Sequence, residues 1–111
     1  MGLGDKQRIF TKNVAKLIMF AYDNGIELTF GEAYRTKYQQ EHYVITGKSK
    51  TMNSKHLSRL AVDFNFFING ELTYNKRVIE PLGIYWESLN DSNKWGGHFT
   101  HFTDVPHFQM S

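Results

Sequence analysis

Apolar residues recur at three- and four-residue steps near the start of the chain, as Ile9, Phe10, Val14, Leu17, Ile18 and Ala21. This spacing places the apolar side chains on one face and predicts an amphipathic helix over residues 6–24. Gly25 then fits a C-terminal cap, because glycine readily adopts the positive φ that such a cap favours.

The pattern changes to alternation directly after this helix. Residues 27–34 alternate polar and apolar side chains and predict a strand, with Gly31 as a bulge. Residues 37–46 are polar with a few apolar positions and predict a short helix that Gly47 ends. The polar residues 48–55 follow as a loop.

The clearest strand of the chain is predicted over residues 60–68. Its two faces differ: Leu60, Val62, Phe64 and Phe66 share an apolar face, and Ala61, Asp63, Asn65 and Phe67 share the other. Asp63 therefore points away from the densest apolar face, towards a polar surface or cleft. The small side chain of Ala61 leaves room on that face for a bulky neighbour such as an ion.

Turn residues and apolar spacing predict the remaining elements. Asn69-Gly70 is a strong two-residue hairpin signal, with a short return strand over residues 71–74. A second helix is predicted over residues 75–89, with Pro81 either in its first turns or at a break within it. A loop follows over 90–94, and Trp95-Gly96-Gly97 leads into a last strand over 106–110.

These elements predict an α+β fold, a small and mostly antiparallel sheet with helices packed on one side. The 111 residues, 41% of them hydrophobic and 15% aromatic, suit one domain over residues 1–111. The chain has no cysteine, which excludes thiolate metal sites and leaves nitrogen and oxygen ligands. Its net charge of +2 favours anionic partners only weakly, and no interleaving of aromatic and basic residues suggests a nucleic-acid site.

Two short segments hold the residues that could carry chemistry. His56 and Asp63 lie in and after a polar approach to the central strand, and Asp104 and His107 flank the turn at Pro106. Pro106 favours an extended Val105 and places His107 on the last strand, with Asp104 on the loop before it. Two imidazoles and a carboxylate can hold zinc, and a second carboxylate beside them can act as a base.

These segments resemble the zinc peptidases of the D-Ala-D-Ala carboxypeptidase and L-alanyl-D-glutamate endopeptidase family, which includes many phage endolysins. The family pattern Ser-x-His-x-x-Gly-x-Ala-x-Asp is matched at Ser54, His56, Ala61 and Asp63, while Arg59 stands in place of the glycine. The second pattern, an acidic residue three before a histidine, is matched by Asp104-Val-Pro-His107. Trp95-Gly-Gly97 and Arg35 also resemble the family, so the resemblance spans residues 31–110.

The resemblance implies a role for each matched residue. His56, Asp63 and His107 would bind one zinc ion, and Asp104 would be the catalytic acid and base. Arg35 would be catalytic and substrate-binding, by orienting a substrate carboxylate or polarising the scissile carbonyl. Ser54 would hydrogen-bond near the substrate or steady its loop. The fold implied is that of Hedgehog proteins and D,D-peptidases.

Other residues have simpler interpretations. Trp95 would form a cleft wall that contacts substrate, or else pack beneath the strands. His42 is expected at the surface, and His98 and His101 at the surface or beside the metal ligands. Basic residues cluster at Lys48, Lys50, Lys55 and Arg59, and the lysines among them are expected in a solvated loop that borders the site and could attract anionic wall polymer. An aromatic series is expected in the core rather than as a ligand platform: Phe64, Phe66, Phe99, Phe102 and Phe108.

The function implied by the resemblance is zinc-dependent hydrolysis of a peptide bond in the peptidoglycan stem peptide. An L-alanyl-D-glutamate endopeptidase of endolysin type is expected first. A D,D-carboxypeptidase or dipeptidase and a non-catalytic zinc-binding module are the alternatives. The N-terminal residues lack the apolar stretch of a signal peptide, and no apolar run approaches a membrane span. We expect a monomer without nucleic-acid or membrane partners, cytoplasmic in the producing cell until released onto the wall, or carried on a virion.

Overall fold

The computed structural model describes residues 1–49 and 51–111. Lys50, which belongs to the predicted polar loop and the basic group, lies outside the described residues. No helix in the described ranges is both long enough and apolar enough to cross a membrane.

The first helix, α1, runs from Leu3 to Asp23 and begins three residues before its predicted start. Its end matches the prediction, because Gly25 adopts a φ of 77°. The amide of Gly25 donates to Tyr22 O and the amide of Ile26 donates to Ala21 O, at 3.2 and 2.9 Å. This pair of bonds is a Schellman motif, and it carries the chain directly into the first strand.

Five strands form one sheet, and every strand pairing in the described part of the chain is antiparallel. The strands are β1 Glu27–Phe30, β2 Ala61–Ile68, β3 Glu71–Thr73, β4 Asn93–Trp95 and β5 His107–Met110. Their order is β1-β2-β5-β4, with β3 paired to the far end of β2. The mostly antiparallel sheet predicted from the sequence is confirmed, with β2 at its centre.

Strand β1 ends at Phe30, so the prediction that it continues to residue 34 is wrong. Beyond Phe30, two residues lie opposite one residue of β2: Gly31 N donates to Asp63 O at 2.8 Å, and Asp63 N donates to Glu32 O at 2.7 Å. Two residues against one is the arrangement of a bulge, as predicted for Gly31. The extra residue turns the chain out of the sheet and into the loop that carries Arg35.

The hairpin between β2 and β3 forms where the sequence predicts it. Asn69 and Gly70 have φ values of 52° and 80°, and Ile68 pairs with Glu71. Positive φ at both central residues is the two-residue turn that matches the twist of paired strands.

The other helices also lie close to their predicted positions. Helix α2 spans Lys37–Ile45 and is capped by the Thr36 hydroxyl, which accepts from Gln39 N. Helix α3 spans Lys76–Ser88, is capped by Asn75, and contains Pro81 without a break. Two 3₁₀ turns, Lys55–Ser58 and Gly96–His98, complete the described elements. The predicted loop over 90–94 is partly wrong, because β4 already begins at Asn93.

Helices α1 and α3 pack against the apolar face of the sheet. The Trp86 ring of α3 lies edge-on to Phe10 of α1 and to Phe108 of β5, at centroid distances of 5.5 and 6.0 Å. Of the aromatic series predicted for the core, Phe64, Phe66 and Phe108 are buried. Phe102 is 62% exposed, so its assignment to the core is wrong, and Phe99 is half-buried.

Trp95 is completely buried at the end of β4. Its Nε1–H donates to Val105 O at 2.8 Å, and its ring packs closely on Gly83 of α3 and on Gly97. The prediction that Trp95 is a substrate-binding cleft wall is therefore wrong, since the ring has no exposed surface. The alternative, packing beneath the strands, is what the structure shows.

Candidate metal centre

Asp63 and His107 are brought together by the pairing of β2 with β5. They are directly opposite partners in this antiparallel register, so their side chains project from the same face. That face is opposite to the one covered by α1 and α3. His107 Nδ1 lies 3.1 Å from Asp63 Oδ1, although 44 residues separate the two along the chain.

His56 reaches the same carboxylate from the first 3₁₀ turn. Ser54 caps this turn by accepting from His56 N at 3.2 Å, so the prediction that Ser54 steadies the loop is supported. The imidazole is 2% exposed, and its Nδ1–H donates to Ala33 O at 2.9 Å. That bond turns Nε2 towards Asp63 Oδ1, at 3.4 Å.

These three side chains form a group that could hold one metal ion. One ligand atom from each of His56, Asp63 and His107 lies within 4.8 Å of the other two. Zinc with ligands at roughly 2.0–2.2 Å in a tetrahedron separates neighbouring ligand atoms by about 3.3–3.5 Å. Two of the three separations, from Asp63 Oδ1 to His107 Nδ1 and to His56 Nε2, are 3.1 and 3.4 Å and lie close to that value, so the donor set suits such an ion.

Asp104 stands just outside this group. Its Oδ2 lies 4.0 Å from His107 Nδ1, and its side chain is 40% exposed. The loop is fixed by two backbone bonds: Asp104 N donates to Gly96 O at 2.9 Å, and His107 N donates to Asp104 O at 3.1 Å. The second bond closes the predicted turn through Pro106. Asp104 is thus beside the three side chains and more accessible than they are.

The two carboxylates differ in electrostatics. Burial raises the pKa of Asp63, but hydrogen bonds and charge from His107 and His56 outweigh it, so the pKa of Asp63 lies well below its usual range. Burial raises the pKa of Asp104, and the Asp63 charge adds to this effect; the nearby His107, His56 and Arg35 oppose it without reversing it. Asp63 is therefore held ionised, while the pKa of Asp104 is shifted towards neutral pH.

The pKa of His107 also shifts. Burial lowers it, but hydrogen bonds to Asp63 and Gln109 and the charges of Asp63 and Asp104 outweigh burial, so the pKa of His107 is raised. The Gln109 contact was missed from the sequence. Gln109 lies opposite Ala61, and its Oε1 is 2.8 Å from His107 Nε2. A side chain from the next strand therefore lies opposite Ala61, the position where the sequence suggested space for an ion.

Arg35 is buried at the edge of the site and most of its donors are occupied. Glu32 accepts from Nη2 at 2.8 Å and from Nε at 3.3 Å, and Gln40 accepts from Nη1 at 2.7 Å. Ser54 Oγ accepts a longer bond from Nη1 at 3.4 Å, and the Tyr43 ring lies 4.8 Å from the guanidinium carbon. These contacts leave one Nη2–H without a protein acceptor among the described residues. The partners were not predicted, although Glu32 and Gln40 are close to Arg35 in sequence.

The remaining predicted residues lie outside the group. His98 bonds Glu87 and Glu80 of α3 at 2.9 and 3.2 Å, which places it away from the metal ligands. His101 and His42 are exposed, as expected of surface histidines. Arg59 is exposed with a φ of 57°, a left-handed conformation that explains why glycine suits this position. Its guanidinium lies 3.9 Å from the centroid of the Tyr34 ring.

Comparison with known proteins identifies the family. A family described as D-alanyl-D-alanine carboxypeptidase matches residues 47–110, which is more than half of the chain. The chain belongs to this family. The match includes His56, Asp63, Asp104 and His107, so the resemblance expected from the sequence is confirmed.

One curated relative of this family member is the L-alanyl-D-glutamate peptidase of Listeria phage A118. It is 33% identical over 97 residues, which cover 86% of the chain and 34% of the relative. The chain thus spans about a third of the length of the curated relative that it matches.

Two solved structures share the fold. The Serratia marcescens L-Ala D-Glu endopeptidase ChiX matches with a TM-score of 0.74 and 22% identity, over 97% of this chain and 85% of ChiX. A variant of the vancomycin-resistance D,D-pentapeptidase VanY, in complex with Zn(II), matches with a TM-score of 0.61 and 19% identity. That match covers 91% of this chain and 70% of VanY.

Proposed function

We propose that this protein is a zinc-dependent peptidase that hydrolyses a peptide bond in the peptidoglycan stem peptide. The observation that carries the proposal is the grouping of His56, Asp63 and His107 with Asp104 Oδ2 at 4.0 Å from His107. Such an enzyme needs three side chains that can bind the metal ion and an accessible carboxylate that is not one of these ligands. A non-catalytic zinc-binding module would not need the Asp104 carboxylate beside the three ligands.

His56, Asp63 and His107 would hold the zinc ion. Each histidine already has a partner for its outward nitrogen, Ala33 O for His56 and Gln109 Oε1 for His107. When bound, zinc polarises a carbonyl and makes water acidic enough to lose a proton near neutral pH. The Zn(II) complex of VanY supports the choice of this metal.

Asp104 would move the proton during hydrolysis. As water attacks the carbonyl carbon, Asp104 would take the proton of the water at Oδ2 and then give it to the nitrogen of the breaking C–N bond. In the metal-free protein burial raises the pKa of Asp104, and a raised pKa makes a carboxylate a better proton acceptor. Its exposure gives substrate access to this carboxylate.

Arg35 would bind an oxygen of the substrate through its free Nη2–H. Glu32, Gln40 and Tyr43 fix the guanidinium plane, so a single donor is presented in one direction. A fixed cationic donor stabilises negative charge that develops on a carbonyl oxygen, and it can equally orient a substrate carboxylate. In this arrangement Ser54 supports Arg35 and the His56 turn rather than touching substrate.

The bond between L-alanine and D-glutamate is the first candidate for cleavage. The phage relative, at 33% identity over most of this chain, is named for that activity, and so is ChiX. A D,D-carboxypeptidase is the second candidate, because the matching family is described by that activity. We further propose that the protein acts as a monomer on the wall after release from the cell that makes it, or from a virion.

Two variants separate metal binding from catalysis. Asp104→Ala should retain one zinc ion per chain and lose wall hydrolysis by at least about 100-fold, the usual contribution of a positioned acid–base group. His107→Ala should lose the zinc, as measured by elemental analysis after gel filtration. Asp91→Ala, an exposed carboxylate in the loop before β4, is the matched control and should change neither. Hydrolysis by Asp104→Ala at the wild-type rate would sink the mechanism.

Mass spectrometry of purified peptidoglycan digested with zinc-loaded protein would identify the bond. New N-terminal D-glutamate selects the endopeptidase, and released D-alanine selects the carboxypeptidase. Zinc binding without either product, at any enzyme concentration, would leave only the non-catalytic module.

A further inference from the structure

Gln109 contacts the nitrogen of His107 that faces away from the candidate metal group. The two residues are two apart on β5, so their side chains share a face of the sheet. Gln109 Oε1 lies 2.8 Å from His107 Nε2, while His107 Nδ1 lies 3.1 Å from Asp63. The two ring nitrogens of His107 therefore have two different partners.

The partner at Nε2 decides which nitrogen can bind a metal. A neutral imidazole carries a single N–H, and the other nitrogen offers the lone pair that a metal needs. In the metal-free protein Asp63 and Gln109 are both acceptors, one at each ring nitrogen. When the Nδ1 proton gives way to a metal, Gln109 Oε1 keeps the remaining proton on Nε2, and the Nδ1 lone pair faces Asp63 and His56. His56 is arranged the opposite way, because Ala33 O holds its proton on Nδ1. Each ligand thus depends on an acceptor of its own.

We propose that Gln109 is a positioning residue that selects the metal-binding tautomer of His107. This inference rests on the proposed function, since it assumes that His107 is a zinc ligand. Acceptors bound to the outer nitrogen of a ligating histidine fix its orientation and strengthen its binding to the metal. For His107 the acceptor is the side chain of Gln109, so its contribution can be tested by substitution. The acceptor of His56 is a backbone carbonyl and cannot be removed in this way.

The backbone of Gln109 is held firmly, as a positioning role requires. Its backbone carbonyl accepts from the indole Nε1–H of the buried Trp86 at 3.0 Å. Its strand pairs with Ala61 on one side and Lys94 on the other. The position is therefore fixed from the core and from both neighbouring strands. The small Ala61 opposite leaves room for the amide to reach back along the strand to His107.

The test compares zinc affinity by competition with a chelator in three variants. Gln109→Met keeps the length of the side chain and removes the acceptor, so zinc should bind about 10- to 100-fold more weakly. Gln109→Glu keeps an acceptor at the same reach and should bind zinc at least as tightly as the wild type. Gln39→Met makes the same chemical change in α2, where the side chain donates to Tyr43 Oη, and should leave the affinity unchanged.

A measurement on the unaltered protein covers the case in which Gln109→Met does not fold. In zinc-loaded protein, ¹⁵N NMR of the His107 ring should show the proton on Nε2 and the metal on Nδ1. The reverse assignment would overturn the proposal, as would a folded Gln109→Met with wild-type zinc affinity. Failure of the proposed function looks different, because the wild-type chain would then bind no zinc or would release no peptidoglycan fragment.

Discussion

Substitution of Gly83 by alanine should destabilise the protein, although alanine is the better helix former. A Cβ at position 83 would lie 2.8 Å from Trp95 Cγ and closer still to two other ring carbons. Carbon atoms in normal contact are about 3.5–4.0 Å apart, and the nearest ring carbon, Cε3, would lie 2.2 Å from this Cβ, so the ring would have to retreat by at least about 1.3 Å. The backbone of Gly97 also packs closely on this ring, since a Cβ added there would lie 2.5 Å from Trp95 Cε2, so the ring has little free space around it.

The net effect follows from two opposed quantities. Overpacking of a fixed core ring costs typically about 1–3 kcal/mol, and this site, where a completely buried ring packs on two glycines, belongs at the upper end. The higher helix propensity of alanine compared with glycine offsets up to about 1 kcal/mol of this loss. A net loss of about 2 kcal/mol in the free energy of unfolding is expected, which lowers the melting temperature by about 8–10 °C for a domain of this size.

Thermal and denaturant unfolding followed by circular dichroism would measure this loss. Gly4→Ala in α1 is the matched control: its Cβ would meet only the flexible Arg8 side chain at 3.4 Å, so stability should stay equal or rise slightly. In a Trp95→Phe background the cost of Gly83→Ala should shrink, since the smaller ring leaves space. A Gly83→Ala protein as stable as the wild type would refute the proposed packing of Trp95.

Three further outcomes are expected. Gly96→Ala would place its Cβ 2.9 Å from Asp104 Cβ and overlap the backbone oxygen of Asp104, so hydrolysis should fall more than 10-fold while zinc affinity, read by chelator competition, changes little. In metal-free protein the pKa of His107 is raised above its unfolded value of 6.5, so its ion pair with Asp63 stabilises the fold fully below pH 6.5. This stabilisation is lost as the pH rises through the raised pKa of His107, and the melting temperature should fall over that range. A melting temperature that rises there would contradict the pairing of His107 with Asp63. Arg59→Gly relieves a left-handed φ but gives the unfolded chain more conformational freedom, so the free energy of unfolding should change by no more than about 1 kcal/mol. A larger loss in unfolding experiments would mean that the Arg59 side chain has a structural role.

The parts of the fold that depend on local sequence could be predicted. The β2 strand and its Asn69-Gly70 turn follow from alternation and turn chemistry within about ten residues. The end of α1 follows from Gly25. The early end of β1 could not be predicted, because it is set by Asp63, a residue more than thirty positions away that pairs with both Gly31 and Glu32.

The same distinction separates the predicted and missed parts of the candidate site. The grouping of His56, Asp63 and His107 was predicted because two short motifs carry it. The sequence left Trp95 open between a cleft wall and burial, because the space for its ring comes from Gly83 on α3, which no local pattern connects to β4. Gln109 was missed because neither short motif includes it, although the two-residue period of the predicted last strand places it on the same face as His107.

The register of β2 against β5 also has a consequence for the order of events in folding. Asp63 and His107 meet only after a 44-residue stretch has closed, and closing that stretch costs chain entropy before the contact forms. We predict that a metal bound by both strands stabilises the native state more than the transition state for folding, because its ligands come together when β2 and β5 are fully paired. Zinc should therefore lengthen the lifetime of the native state by slowing unfolding, while the rate at which newly made chains fold stays nearly unchanged.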